Sequence, residues 1–329
     1  MSARAVALCF LTWVGGAHVG VQQSPFPSGD PAIRVTLLGT ASGPTFDAER
    51  LGISTLVDAG PERLLFDAGR GLTTGMVRVG INPADVTKVF LTHLHSDHVI
   101  SLPELLSFPW ASQGRKIPLM VWGPVGTRTM MQHFQAALAF DIHVRRDVDE
   151  KFAPEGVRVI ATDIRAGVVY EANGVKVTAF LVDHGLVAPA YGYRVDYRGR
   201  SVVLSGDTKP SDNLVTFASG TDLLIHEVAR SKQDPSLTGP PDELMPNSRQ
   251  TRRQATTIAE HHTDGYEAGL VFQRAKPRLA VFSHYRMDPR ETLLLVRQNY
   301  QGRVEFGEDL MTIDVGDSVA VRRYRAPQR

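Results

Sequence analysis

The sequence predicts an α/β layered domain, on three observations. Short, β-prone apolar runs are mixed with runs that carry apolar residues at helical spacing. Hydrophobic residues make up 43% of the 329 positions, enough to bury a substantial core. Several of the apolar runs end in His or Asp, as when separate strands deliver polar side chains to one rim of a scaffold.

The first predicted strand covers residues 33–39, after a Pro/Ser/Gly tether. Further strand-like runs are 53–57, 63–67, 88–92 and 119–123, then 175–182, 191–197, 201–205, 222–226 and 279–283. Helical spacing falls at 71–79, 125–140, 266–275 and 290–299. Residues 231–252 are polar and proline-rich and read as a long surface loop, either a substrate flap or a plain insertion. No repeat of solenoid length is visible.

Residues 1–17 read as a signal peptide. Arg4 gives a small positive start, 5–14 are apolar, and Gly15, Gly16 and Ala17 offer small residues for cleavage. The run is too short for a membrane span. Residues 18–32 then form a linker and 33–325 a single domain, exported to a periplasm or secreted. The only cysteine, Cys9, lies in the leader, so the mature chain has neither disulfide nor thiolate ligand. Lys+Arg number 36 and Asp+Glu 35, a balance that gives no general attraction to nucleic acid or an anionic membrane. A small-molecule partner is therefore expected. Oligomeric state is not readable.

The most informative segment is Thr92-His93-Leu94-His95-Ser96-Asp97-His98. It follows the apolar run Val89-Phe90-Leu91, where a buried strand runs out into a loop. Three imidazoles and a carboxylate within six residues are the donors that suit zinc and its first-row neighbours. In extended chain, His93 and His95 point the same way and can clasp one ion. Asp97 and His98 follow a turn and can reach a second. Four later strand-end or loop positions complete the pattern: His184, Asp207 behind Gly206, His262 beside His261, and His284. Singly, a strand-end His is more often hydrogen-bonded than metal-bound, and a Gly-Asp pair is usually a turn. Together they repeat one geometry.

The order His-x-His-x-Asp-His, then His184, Asp207 and His284, resembles the metallo-β-lactamase superfamily over about residues 33–315, and Leu65-Phe66-Asp67-Ala68-Gly69 is similar to its upstream Asp motif. That resemblance implies a four-layer αββα sandwich of two mixed sheets flanked by helices, with two zinc ions at one edge; manganese or iron would also suit the donors. It implies that His93, His95 and His184 hold the first ion, that Asp97, His98 and His284 hold the second, and that Asp207 bridges them. Asp67 would orient a ligand histidine. Leu224-Ile225-His226-Glu227 and His262-Thr263 resemble the ribonuclease Z and zinc arylsulfatase branch, in which a Glu–His pair assists the leaving group. Glu227 and His262 match those positions, with His261 as a rival. Bacterial ribonuclease Z carries a long tRNA-gripping arm after the segment resembling Tyr191-Gly192-Tyr193-Arg194. Here only residues 195–205 intervene, with Tyr197-Arg198-Gly199-Arg200 reading as a tight turn, which resembles the arylsulfatases.

The expected activity is hydrolysis of sulfate or phosphate esters by a metal-bridged hydroxide, arylsulfatase-like first. Asp97 orients the attacking water and His262, kept protonated by Glu227, acts as general acid. The alternatives are a ribonuclease Z-like phosphodiesterase, then a β-lactamase or lactonase, and outside catalysis a metal-binding recognition protein. Trp110, Phe108, Trp122 and Phe140 either line an aryl pocket or belong to the core.

Overall fold

The computed structural model describes residues 31–44, 47–246 and 250–326. The leader and nearly all of the linker lie outside the described residues. Among the described residues, fifteen strands form two sheets. The first sheet takes β1 (Ile33–Gly39), β2 (Ser54–Ala59), β3 (Glu62–Phe66), β4 (Lys88–Phe90), β5 (Leu119–Gly123) and β6 (Val159–Asp163). The second takes β7 (Gly167–Ala172), β8 (Val175–Val182), β9 (Ala190–Tyr197), β10 (Arg200–Leu204), β11 (Leu223–His226), β12 (Leu279–Phe282) and β13 (Val304–Phe306). The chain then returns to the first sheet through β14 (Met311–Val315) and β15 (Val319–Arg322). β14 pairs antiparallel with β1, so the last strands close the edge where the first one began.

The sheets face each other through alternate side chains. Val35, Leu37, Phe66 and Phe90 of the first meet Val177, Tyr193, Val202 and Val281 of the second. The intervening residues point outward, and both outer faces are covered. Leu38, Leu65, Val89 and Val121 lie beneath α1 (Leu72–Arg78), with the one-turn α2 (Ser96–Val99) leading into α3 (Leu102–Gln113). α4 (Thr127–Ala137) and α5 (Ala139–His143) extend that layer. Val203, Leu224, Ala280 and Phe282 lie beneath α6 (Asp212–Ala218), followed in sequence by α7 (Arg252–Glu260), and beneath α8 (Gly265–Ala275) and α9 (Pro289–Val296). Central strands buried on both faces are why 88–92 and 279–283 read as continuous apolar runs rather than alternating ones.

The expected strands are present within a residue or two. β4 stops at Phe90, two residues short of the expected end, because Leu91 and Thr92 already turn toward the site. α3 was not foreseen, because Pro109 sits inside it and proline interrupts the helical hydrogen-bond ladder. The carbonyl four residues earlier, Leu105, instead accepts from Arg115 Nη1 at 2.7 Å, and Arg115 Nη2 reaches the Leu106 carbonyl at 2.5 Å. The buried guanidinium thus stands in for the missing donor. Burial lowers its pKa to about 10. The turn between β9 and β10 puts Arg198 and Gly199 at φ of 47° and 71°, the two left-handed residues of a tight hairpin.

Of the four candidate pocket aromatics, Trp110 lies on the buried face of α3 and donates to the Ala153 carbonyl, and Trp122 stacks on Phe90 at 4.9 Å. Phe108 and Phe140 are exposed. No helix among the described residues is long and apolar enough to cross a membrane.

Candidate metal centre

β3, β4 and β5 run parallel, as do β10, β11 and β12, so several strands of each sheet end at one common edge. Asp67 follows β3 and the His93–His98 segment follows β4. On the second sheet, His184 follows β8, Asp207 follows β10, Glu227 follows β11 and His284 follows β12. Gly206 allows Asp207 its position: at φ 61°, a Cβ there would stand 2.6 Å from the Tyr191 carbonyl oxygen.

His93 Nε2 lies 3.0 Å from His95 Nδ1, and His184 Nε2 lies 3.4 Å from the same atom. Neighbouring donors around a tetrahedral ion at about 2.0–2.1 Å stand roughly 3.3 Å apart. A second group joins Asp97, His98 and His284, with Asp97 Oδ2 3.6 Å from His98 Nε2 and 3.2 Å from His284 Nε2. Asp207 faces both groups. Its Oδ2 lies 3.4 Å from His98 Nε2, 3.8 Å from His93 Nε2 and 4.0 Å from His184 Nε2, and its Oδ1 lies 3.2 Å from His284 Nδ1.

The surroundings set the direction of each ring. Asp67 accepts from His98 Nδ1 at 2.8 Å and from the Thr92 backbone and hydroxyl at 2.9 Å each, which turns His98 Nε2 into the cluster. The Thr92 hydroxyl also lies 3.0 Å from His93 Nδ1. His184 Nδ1 donates to the His261 carbonyl at 3.1 Å. Burial raises the pKa of Asp97 and Asp207, but the imidazoles facing them outweigh it and hold both below the usual carboxylate range. Burial, then the neighbouring His98, pushes His93 well below its ordinary value. His98 moves the other way: burial lowers it, but Asp207 and Asp67 outweigh that. Two anionic carboxylates among buried rings, with His98 Nε2 and His284 Nδ1 lacking hydrogen-bond partners, fit a divalent metal centre.

Glu227 and His262 stand beside the cluster. Glu227 Oε1 accepts from the backbone N–H of Thr208 and of Thr263, each at 3.1 Å. His262 Nδ1 lies 3.2 Å from the same oxygen, within ion-pair range though poorly aligned for a hydrogen bond. Burial alone would lower the His262 pKa, but Glu227 raises it to about 9. The rings of His262 and His184 are 4.9 Å apart. His261 turns away, lying where a Cβ on Gly185 would meet its ring at 2.7 Å. His133 and His143 are exposed on α4 and α5. The segment after Glu227 is anchored by Ser231 Oγ on Asp264 and by Arg252 Nε on the Ser236 carbonyl. Thr92, Thr208 and Thr263 were not singled out from the sequence. Their only sequence signal is adjacency to a candidate ligand or acid.

The fold and its relatives define the class: a metallo-β-lactamase-fold, metal-dependent hydrolase acting on ester bonds. The chain belongs to the family described as anti-Pycsar protein Apyc1, whose model matches residues 33–269, within the ribonuclease Z branch of that superfamily. It is 36% identical over 295 residues to the ribonuclease Z of Mycobacterium avium (strain 104), covering 86% of this chain and 98% of that protein. Among solved structures it is similar to the metallo-β-lactamase fold protein YhfI from Bacillus subtilis (TM-score 0.64, 17% identity, covering 86% of this chain and 99% of that one). It is also similar to the short form of human tRNase Z (TM-score 0.60, 23% identity, covering 86% and 99%).

One expectation is overturned by these relatives. A small-molecule ester with no nucleic-acid partner was expected, yet relatives matched almost end to end are named ribonucleases. The expectation leaned on a net charge of +1 and on a short β9–β10 turn. Net charge averages over the whole surface, whereas a scissile phosphodiester is met by the charges of one site. The short turn concerns only one means of gripping RNA.

Proposed function

We propose that this protein is a ribonuclease Z-like phosphodiesterase that cleaves a P–O bond in RNA. In this reading His93, His95 and His184, and Asp97, His98 and His284, together with Asp207, would hold two divalent ions, zinc foremost. The observation that carries it is the meeting of those seven donors with the Glu227–His262 pair, in a chain whose relatives over nearly their full length are named ribonuclease Z. These relatives favour a phosphodiester over the sulfate ester expected first.

Bound divalent ions supply Lewis acidity and lower the pKa of a nearby water. The chain's own residues do the rest. Asp97 orients the attacking water. That water, its proton lost to solvent, forms the new P–O bond as the bond to the departing oxygen breaks, and His262 gives its own proton to the departing oxygen. Glu227, fixed by two backbone N–H groups, keeps His262 charged. Asp67 and Thr92 fix the rings of His98 and His93.

The test is a side-by-side panel of a structured RNA with a 3′ extension, bis-nitrophenyl phosphate, nitrophenyl sulfate, a lactone and nitrocefin. The proposal expects cleavage of the RNA and of the phosphate diester, abolished by chelation. Turnover of the sulfate, lactone or nitrocefin with both diesters untouched would overturn it. Residues 1–17 are likewise proposed as an export signal ahead of one hydrolase domain at 33–325. The mass of the protein recovered from a bacterial host tells whether the chain begins at residue 18.

A further inference from the structure

His284 holds a φ of 54°, in the left-handed region. A side chain other than glycine stays there only where its surroundings over-determine it. Yet β12 ends two residues earlier, at Phe282. What fixes the backbone beyond it is Tyr285, held from several sides. Its N–H donates to the Thr40 carbonyl at 3.2 Å, and its hydroxyl donates to the Gly307 carbonyl at 2.9 Å. Its own carbonyl accepts from Arg50 Nη1 at 2.6 Å, and the Arg50 guanidinium lies over its ring, 4.3 Å from the centre.

The second arm of that guanidinium closes the clamp. Arg50 Nη2 donates to the Thr40 carbonyl at 2.7 Å and to the Thr40 hydroxyl at 2.8 Å. Thr40 is itself fixed, its N–H and hydroxyl donating to Asp309 at 2.8 and 2.7 Å. Arg70 Nη2 pins the Arg50 carbonyl at 2.6 Å. One planar fork therefore spans two carbonyls and an aromatic face, which a lysine ammonium cannot reproduce. The donors of the other group take their orientation elsewhere, His93 from Thr92 and His184 from the His261 carbonyl.

We propose that Arg50 is a positioning residue for one of the two ion sites: by tying Tyr285 to Thr40 it holds His284 where the Asp97–His98–His284 donors converge, and it leaves the His93–His95–His184 donors unaffected. This rests on the metal-centre reading above and is independent of the substrate.

The test is calorimetric titration of Zn2+ into metal-free wild type, Arg50→Lys and Arg50→Met, with thermal melting of each metal-free protein alongside. Wild type should take up two ions. Arg50→Met should weaken one step by about 10–100-fold, the usual effect of removing a residue that orients a ligand, and leave the other step in place. Arg50→Lys should fall between them and carries the test if Arg50→Met does not fold. Parallel loss in both steps, tracking a lower metal-free Tm, would make Arg50 a structural tie only and overturn the proposal, as would two unmoved steps. A wild type that binds a single ion would instead overturn the two-ion reading and this inference with it.

Discussion

His261 and His262 are neighbours in the chain with unlike surroundings. His261 lends its carbonyl to His184, whereas His262 sits against a carboxylate whose oxygen is already held by two backbone donors. That difference predicts a selective defect. His262→Ala should lower kcat by about 100-fold or more on RNA, whose departing alkoxide needs a proton. It should lower kcat much less on bis-nitrophenyl phosphate, whose leaving group is stable as an anion. Equal losses on both substrates would remove His262 from the role of acid. The metal-type residues were legible because His and Asp rarely crowd strand ends without cause. Thr92 and Thr263 were not, since threonine is ordinary at such places and only coordinates reveal Thr92 between Asp67, His93 and His98.

Whole elements are governed by close approaches and by buried ties. Gly206→Ala would drive a Cβ to within 2.6 Å of the Tyr191 carbonyl in a left-handed residue. It should cost about 1–3 kcal/mol of stability and weaken metal uptake by moving Asp207. Unchanged urea midpoints would refute that. Glu62, at the start of β3, accepts from Tyr170 at 2.6 Å and Asn173 at 2.6 Å, residues at and just beyond β7, and pairs with Lys88 of β4 at 2.8 Å. The carboxylate thereby joins the two sheets. Burial raises its pKa, but these three donors outweigh that and lower it below the ordinary 4.5. The stability it contributes is present above pH 4.5 and is lost as the pH falls through the lower folded value. Glu62→Gln should therefore lower the unfolding free energy at pH 7 by about 2 kcal/mol, read as an earlier urea midpoint. The gap to wild type should close as the pH drops below the carboxylate range, and a gap independent of pH would sink the argument. α3 and α7 escaped the sequence reading for opposite reasons. Pro109 hid the first by breaking its pattern. The second carried a readable start, the Thr251–Gln254 capping box, but almost no apolar stripe behind it. β13, β14 and β15 are three to five residues long, too short for pattern alone to separate them from loop.

At the scale of the molecule, the αββα order was legible through resemblance, and the layered α/β class through strand and helix spacing alone. The partner was misread because composition is blind to where charge sits. If the folded chain binds ions that the unfolded chain does not, metal adds stability by mass action, about 2.7 kcal/mol when the free ion is a hundredfold above its Kd. Chelation should lower Tm and re-addition of Zn2+ restore it; a melting curve indifferent to both would argue against a resident metal. The donors are split, with His93, His95, Asp97 and His98 hanging from one sheet and His184, Asp207 and His284 from the other. Neither layer alone carries the full donor set. On the metal reading, tight capture of a cation waits until the two layers have docked, and a bound ion would rivet the sandwich along the seam where their strands end.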